Sequence, residues 1–279
     1  MNNTDRTFLI KVIDKLRAWM WKFSIAIRTA PLRLHYATRP TTMASTKDRS
    51  WRYSTPTRET WIRAKTMFKK EPETINWLDS FSEGKIFWDI GASVGTFSLY
   101  AASTKGANVV SFEPMPNTYA VLVENILTNR LNSQIEAFCI SLSDHTDIGT
   151  LYITSTVAGT SEHNIHRKND TPQSAHRYQT TQSSLCYTID DFIDQFSIQP
   201  PNYIKIDVDG NENKILRGAR RTLKSVSLRS ILLEIDENND VSKKEISGIL
   251  TAEQFYLETK VAIKKGPTNT MFNYVFSRI

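Results

Sequence analysis

The chain has 279 residues, of which 40% are hydrophobic and 23% charged, enough to build one large α/β domain with an extension. No apolar run approaches the roughly 20 residues of a membrane span, and basic residues interrupt the apolar N-terminal stretch, so we predict neither a membrane span nor a secretory signal. Two cysteines without paired spacing argue against a disulfide framework or a zinc site and favour a cytoplasmic location.

The positive charge of the chain is concentrated near its N-terminus. Residues 1–70 hold 16 lysines and arginines against 4 acidic residues, whereas residues 71–279 hold 19 against 25. A basic segment of this kind suits an anionic partner such as a lipid surface, a nucleic acid or an acidic glycan, and it suits a solvated surface equally well.

Residues 7–30 place apolar side chains at helical spacing with basic residues between them, which predicts an amphipathic helix. Such a helix could lie on the inner membrane surface, or dock against the protein itself or a second subunit, which is the more frequent arrangement. Residues 31–57 contain three prolines and many serines and threonines, a composition typical of an irregular linker. We therefore predict an N-terminal extension over residues 1–57 and a catalytic domain over residues 58–279.

Beyond a helical stretch at residues 59–81, which the Glu71-Pro72 step should break, strands and helices alternate. Strands are predicted at residues 86–90, 108–112, 135–140, 203–206 and 230–235, and helices at residues 96–103, 118–129, 189–196 and 212–223. This alternation predicts a doubly wound α/β fold with a mostly parallel sheet, closed by an antiparallel hairpin at residues 255–262 and 273–276. Residues 149–187 interrupt it with two short strands and a polar loop that contains histidines, and we expect this insertion on the substrate side.

Two glycines lie where the first strand of the sheet turns into a helix, in the run from Asp89 to Gly95. Glycine lets the backbone approach a ligand closely at Gly91 and Gly95, although glycines also form tight turns for packing alone. The Asp89 carboxylate, at the end of the strand, could meet the amino group of an amino-acid-like ligand. The G-x-x-x-G spacing differs from the G-x-G-x-x-G of dinucleotide-binding folds, which disfavours a nicotinamide cofactor.

A second carboxylate follows the next strand, about 22 residues after the glycine turn. Glu113, followed by Pro114, could accept hydrogen bonds from both ribose hydroxyls of an adenosyl cofactor. The third strand leads to Ser143 and Asp144, where a carboxylate could accept from the adenine amino group or simply belong to a surface turn. Three strand ends thus carry groups that suit an adenosyl ligand.

These segments resemble the FkbM family of methyltransferases. The D-I-G-A-N-x-G, F-E-P, S-D and K-I-D-V-E-G-x-E-x-x-V-L-x-G-A blocks of that family are similar to residues 89–95, 112–114, 143–144 and 205–219. The resemblance implies a Rossmann-like class I methyltransferase fold, S-adenosylmethionine as cofactor, and a sugar hydroxyl of a glycan, glycolipid or related small molecule as acceptor. It implies cofactor contacts from Asp89, Gly91, Ala92, Ser93, Gly95, Glu113, Pro114, Ser143 and Asp144. Ser93 stands where the family has Asn, and Asp209 where it has Glu.

The reacting end of the site is predicted at the end of the fourth strand, at Lys205, Asp207 and Asp209. An oxygen acceptor must lose its proton during methyl transfer, and neighbouring carboxylates raise one another's pKa, so Asp207 is the preferred base. Alternatively, Asp207, Asp209 and Asp236 could bind Mg²⁺, which would acidify the acceptor hydroxyl. The alternative without a catalytic role is that Asp207 only forms an ion pair with Lys205.

A neutral imidazole in the insertion could also serve as the base, with His163 and His166 the better candidates. Loop histidines are more often simply solvated. The polar run at residues 159–164 suits a hydroxyl-rich ligand.

Three other functions fit the sequence less well. A nicotinamide-dependent sugar-modifying enzyme is disfavoured because this sequence lacks the G-x-G-x-x-G spacing typical of that cofactor. A non-catalytic membrane- or polymer-binding protein on the same scaffold is disfavoured because it would not need Asp89, Gly91 and Glu113. A nucleic-acid methyltransferase is disfavoured because no Asn/Asp-Pro-Pro-Tyr block follows the fourth strand.

Overall fold

The computed structural model describes residues 11, 14–24, 39–168, 170, 172, 175–263 and 270–278. The chain divides into two compact units, residues 1–40 and residues 41–279. In the first unit, residues 14–24 form helix α1, whose apolar side chains Leu16, Trp19, Met20 and Phe23 are all more than half exposed. Their spacing places them on one face of the helix.

Helix α1 confirms the central part of the predicted N-terminal helix, and the remainder of residues 7–30, except Lys11, lies outside the described residues. Within the described part of the chain, no helix is both long and apolar enough to cross a membrane. The peripheral membrane contact stays a prediction.

The second unit begins with a β-hairpin, β1 (Thr41–Ser45) and β2 (Ser50–Ser54), where the sequence predicted an irregular linker. Alternation explains the difference, because Trp51 and Tyr53 are buried while Arg52 between them is exposed. The Trp51 indole also donates a 2.8 Å hydrogen bond to the Ser103 hydroxyl. The compact unit therefore starts near residue 41, which places the boundary earlier than the predicted residue 58.

Helices α2 (Arg58–Lys70) and α3 (Pro72–Asp79) follow, separated at Glu71 as predicted. Thr57 begins α2 with a capping box shared with Thr60. Trp61 of α2 is 48% exposed.

The remaining elements, in chain order, are β3 (Ile86–Ile90), α4 (Thr96–Lys105), β4 (Asn108–Phe112), α5 (Pro116–Thr128), β5 (Ile135–Phe138), β6 (Ser141–Leu142), β7 (Asp147–Ile153), β8 (Asn164–Arg167), β9 (Thr180–Tyr187), α6 (Ile189–Phe196), β10 (Tyr203–Ile206), α7 (Glu212–Arg217), β11 (Ser230–Asp236), α8 (Asp240–Ala252), β12 (Tyr256–Ala262) and β13 (Met271–Ser277). Helix α7 ends earlier than predicted, and the sequence prediction omitted α8.

The central sheet has the strand order β12-β13-β11-β10-β3-β4-β5. Strands β11, β10, β3, β4 and β5 pair in parallel, whereas β13 pairs antiparallel with both β11 and β12. Hydrophobic cores cover both faces, with Phe87 on one side and Trp88 on the other. The predicted doubly wound sheet with its C-terminal hairpin is confirmed.

The insertion forms a separate four-stranded sheet in the order β6-β9-β7-β8. The two predicted strands, around residues 151–154 and 184–187, overlap β7 and β9, and β8 replaces part of the predicted polar loop. Its pairing with β7 buries Leu151 and Ile165.

Candidate active site

A central cavity of about 700 Å³ opens at the carboxyl ends of β3, β4 and β10. The strand order reverses between β3 and β10, and such a switch point is where doubly wound sheets bind ligands. On the sheet side, the cavity is lined by Ile90, Gly91, Ser93, Phe112, Glu113, Pro114, Asp207, Val208 and Asp209. Around it lie Arg63 of α2, Ile140, Ser141 and Leu142 after β5, and Leu151, Thr160, Ser161, His163 and Ile165 of the insertion.

The glycine turn joins the ends of three strands. The amides of Gly91 and Ala92 donate to the Phe112 carbonyl at 3.0 and 2.9 Å. Gly91 has φ +83°, and a Cβ atom there would lie 1.9 Å from the backbone oxygen of Asp207. Glycine is therefore required at this position because β10 passes too close for any side chain.

Glu113 and Ser93 form one edge of the cavity. The Glu113 carboxylate accepts from the Ser93 amide and the Met115 amide, both at 2.9 Å. Burial raises the pKa of Glu113 to about 7, although these two amides favour its charged form. Ser93 adopts φ +52°, and its buried hydroxyl has no hydrogen-bond partner among the described residues. Buried polar groups normally have a hydrogen-bond partner, so a bound ligand would be expected to supply the partner that the Ser93 hydroxyl lacks.

Asp89 lies behind the cavity wall, not in it. It stands opposite Lys205 and Ser111 in the neighbouring strands, so these three side chains share one face of the sheet. Its Oδ2 atom accepts a 2.5 Å hydrogen bond from the Ser98 hydroxyl, and burial raises its pKa. Asp89 does not line the central cavity, and its predicted contact with an amino group stays a prediction.

Ala92 and Gly95 also lie outside the cavity lining. The Ala92 amide ties the turn to β4, and a Cβ atom at Gly95 would lie 2.5 Å from Leu122. Gly95 thus allows α4 and α5 to pack closely.

Ser143 and Asp144 do not line the central cavity. The Ser143 amide donates to the Tyr187 carbonyl, and the Asp144 carboxylate contacts His145 at 2.9 Å, Arg167 at 3.4 Å and Arg217 at 3.5 Å. The cavity is lined instead by the three preceding residues, 140–142, because β6 turns the chain toward β9 immediately afterwards. The adenine contact predicted for Ser143 and Asp144 stays a prediction.

Lys205 and Asp207 form a buried ion pair at the end of β10, with Nζ 2.8 Å from Oδ2. Burial alone would lower the pKa of Lys205, but the negative charges of Asp207, Glu71 and Asp89 raise it above its usual value. Nζ also lies 5.0 Å from the ring centre of Phe97. Lys205 itself is 1% exposed and does not line the central cavity, whereas Asp207 does.

Asp209 connects the strand end with the insertion. Its Oδ2 atom accepts from the Glu162 amide at 2.6 Å, and its backbone oxygen accepts from the Asn164 amide group at 3.1 Å. Asn211 donates to Oδ1 of Asn164 at 2.7 Å. Glu212 supports this loop by accepting from the Gly210 amide at 3.0 Å.

His163 lines the central cavity and His166 does not. Nδ1 of His163 accepts from the Thr154 amide at 3.3 Å, and Nε2 lies 3.3 Å from the Thr160 hydroxyl. Burial, with a smaller contribution from Arg63, lowers the pKa of His163. The neutral ring is therefore engaged at both nitrogens.

A second cavity of about 1040 Å³ adjoins the first. The two share Arg63, Thr160, Ser161, Asp207 and Asp209. The rest of the second cavity is lined by Glu59, Ile62, Thr66 and Lys70 of α2, by Thr154, Ser155, Gly159 and Glu162 of the insertion, and by Glu234. A hydroxyl-rich wall thus faces the carboxylates at the strand ends.

The three carboxylates proposed for Mg²⁺ do not converge. Among the described residues, no group of three or more acidic, histidine or cysteine side chains is placed to hold a metal ion. Asp207 pairs with Lys205, Asp209 accepts from the insertion, and Asp236 accepts from the Asn238 amide at 3.0 Å.

Sequence reasoning missed Arg63 and the whole α2 wall. The residues of α2 that line the second cavity, at positions 59, 62, 63, 66 and 70, recur at helical spacing on one face. That mostly polar stripe, beside the core-facing side of the helix, was the available signal.

Two solved structures show a distant backbone similarity to the chain. One is a precorrin-6y C5,15-methyltransferase from Geobacter metallireducens, with TM-score 0.47 and 14% identity, covering 77% of this chain and 93% of that one. The other is fibrillarin from Aeropyrum pernix with bound S-adenosyl-L-methionine, with TM-score 0.48 and 12% identity, covering 85% and 82%.

Sequence comparison gives the stronger result. The hexuronic acid methyltransferase AglP of Haloferax volcanii is 26% identical over 253 residues, covering 90% of this chain and 92% of that protein. The sequence model of the methyltransferase FkbM domain family matches residues 89–256, which include the glycine turn, Glu113 and the Lys205–Asp209 strand end. Because this match spans well over half of the chain, the protein belongs to the FkbM methyltransferase family and is an S-adenosylmethionine-dependent methyltransferase.

Proposed function

We propose that the protein transfers a methyl group from S-adenosylmethionine to an oxygen atom of a carbohydrate acceptor. The observation that carries this proposal is the wall common to the two cavities, where Asp207 and Asp209 face both. The hydroxyl-rich lining of the second cavity supports a hydroxyl-rich acceptor, and similarity to a hexuronic acid methyltransferase supports a sugar.

The residues of the central cavity fit the proposed cofactor. Glu113, with each oxygen already accepting one amide, keeps lone pairs for ribose hydroxyls, and the orphan Ser93 hydroxyl offers a further polar contact. Ile140 and Leu142 provide an apolar surface for a flat ring. When bound, the cofactor supplies an electrophilic methyl group.

Asp207 has the position required of a base. It lies on the boundary of the two cavities, and its side chain is 27% exposed. There its carboxylate accepts a hydrogen bond from the acceptor hydroxyl, aligns that oxygen and takes up its proton as the methyl group arrives. The ion pair with the buried Lys205 holds the Asp207 carboxylate in one orientation.

The test is turnover of S-adenosylmethionine with a panel of hexuronic acids, neutral hexoses and their oligosaccharides. We expect S-adenosylhomocysteine to form only with sugars of the panel, and mass spectrometry to find the methyl group on oxygen. Asp207→Asn should reduce kcat by at least about 100-fold, while S-adenosylhomocysteine binding is retained. Turnover with RNA or DNA alone, or full activity of the Asp207 variant, would contradict the proposal.

A further inference from the structure

The charges around the central cavity are unevenly distributed. Among the described residues that line it, Arg63 carries the one permanent positive charge, against the carboxylates of Glu113, Asp207 and Asp209. His163 adds no charge at neutral pH, because burial lowers its pKa. Any anionic group of a ligand in this cavity therefore has a single cationic partner available.

Arg63 is held in place before a ligand arrives. Its Nε atom donates a 2.7 Å hydrogen bond to the Gly159 carbonyl, 96 residues away in the sequence. The same turn is fixed from two further directions, because the Thr57 hydroxyl donates to the Ala158 carbonyl at 2.7 Å and the Gly159 amide donates to Thr118 at 3.0 Å. With Nε used for positioning, the two terminal nitrogens of the guanidinium have no hydrogen-bond partner among the described residues.

The ligand has complementary charges. The amino-acid end of S-adenosylmethionine carries an ammonium group, a sulfonium centre and one carboxylate. The carboxylates of Asp207 and Asp209 suit the cationic groups, and a carboxylate matches the paired terminal nitrogens of an arginine.

We infer that Arg63 binds the α-carboxylate of the methionine part of S-adenosylmethionine. The inference rests on the cofactor of the family and not on the proposed sugar acceptor. Arg63 comes from α2, outside the matched family domain, so the N-terminal helix of the second unit completes the cofactor site.

Binding measurements with two ligands test this role. S-adenosylhomocysteine carries the carboxylate, and its decarboxylated analogue differs only by lacking it. By isothermal titration calorimetry, Arg63→Met should weaken S-adenosylhomocysteine binding by at least about tenfold and leave the analogue unaffected. Lys70→Met, which removes a cation of α2 that lines only the second cavity, should change neither affinity.

Two outcomes would overturn the inference. Equal losses for both ligands would show that Arg63 only positions the Gly159 turn, and an unchanged S-adenosylhomocysteine affinity with a raised KM for the sugar would assign Arg63 to the acceptor. If circular dichroism shows that the Arg63→Met variant does not fold, the Arg63→Lys variant is tested in its place. It keeps the charge but loses the paired geometry, so it should weaken S-adenosylhomocysteine binding selectively and by less.

Discussion

The Nζ atom of Lys205 lies 2.8 Å from Oδ2 of Asp207, two residues further along the chain at the end of β10. Asp89 stands directly opposite Lys205 on the neighbouring strand β3. One buried ammonium group therefore compensates an aspartate that lines the site and another that lies behind it. The position of Asp207 depends on an ion pair whose ammonium group is buried.

Lys205→Met should destabilise the protein strongly, because it leaves the buried Asp89 and the partly buried Asp207 without their cation. Breaking a buried pair from one side costs about 3–5 kcal/mol, and urea unfolding measures it. The control is Arg177→Met, since Arg177 and its partner Glu162 are 61% and 65% exposed, and loss of this pair should cost less than about 1 kcal/mol. Equal stability of the two variants would contradict the assigned role.

Gly91→Ala should disrupt the site, because a methyl group there collides with the Asp207 backbone oxygen, which no rotamer change can move. We expect a loss of more than about 4 kcal/mol in the free energy of unfolding. Gly106→Ala is the matched control, with φ +58° and no atom within 4 Å of the added methyl group. The Gly106→Ala variant should lose only the stability that backbone strain costs, about 1–2 kcal/mol. A Gly91 variant no less stable than the control would refute the close approach.

Glu113 should make cofactor binding dependent on pH. Burial raises the pKa of this acid from 4.5 to about 7, so between these values the folded chain retains a proton that the unfolded chain releases. Its contribution to stability is therefore present at low pH and declines as pH rises through about 7.

The ionised form is the better acceptor for ribose hydroxyls, so the affinity for S-adenosylhomocysteine should increase as pH rises from about 6 to about 8. Calorimetric titrations across this range measure it. Glu113→Gln should bind more weakly at high pH and show no such rise. The same rise in the variant would assign it to another group.

His163→Gln should leave the shape of the pH–rate profile unchanged. The imidazole contacts Thr154 and Thr160 through its two ring nitrogens, which indicates that it braces the insertion, and burial lowers its pKa, which makes it a weaker base. We expect kcat to fall less than about tenfold, against the much larger loss in Asp207→Asn. Loss of a titration limb in this variant alone would instead make His163 the base.

Helix α1 should bind anionic lipid vesicles. Trp19 and Phe23 are 62% and 54% exposed, on a helix that also carries Lys15, Arg17 and Lys22. Cosedimentation of the full chain should weaken with salt and be lost in the double variant Trp19→Glu with Phe23→Glu. Val226→Glu, at an 88% exposed apolar position of the second unit, is the control. Vesicle binding that survives the double variant would place the contact elsewhere.

The sequence by itself determined the local pattern of the catalytic unit. The strands at Asn108–Phe112 and Tyr203–Ile206 and the helix at Ile189–Phe196 were predicted with their observed bounds, because side-chain periodicity over a few residues decides such elements. Gly91 and Glu113 were found for the same reason, since each directly follows a strand end.

Only the tertiary structure decided which side chains reach the cavity. Asp89 and Asp144 have suitable chemistry and suitable sequence positions, but one is covered by α4 and the other is held by arginines from distant segments. Arg63 reaches the cavity because α2 packs against a turn 96 residues away. Contacts over such separations depend on how whole elements pack, and no periodicity within a short window encodes them.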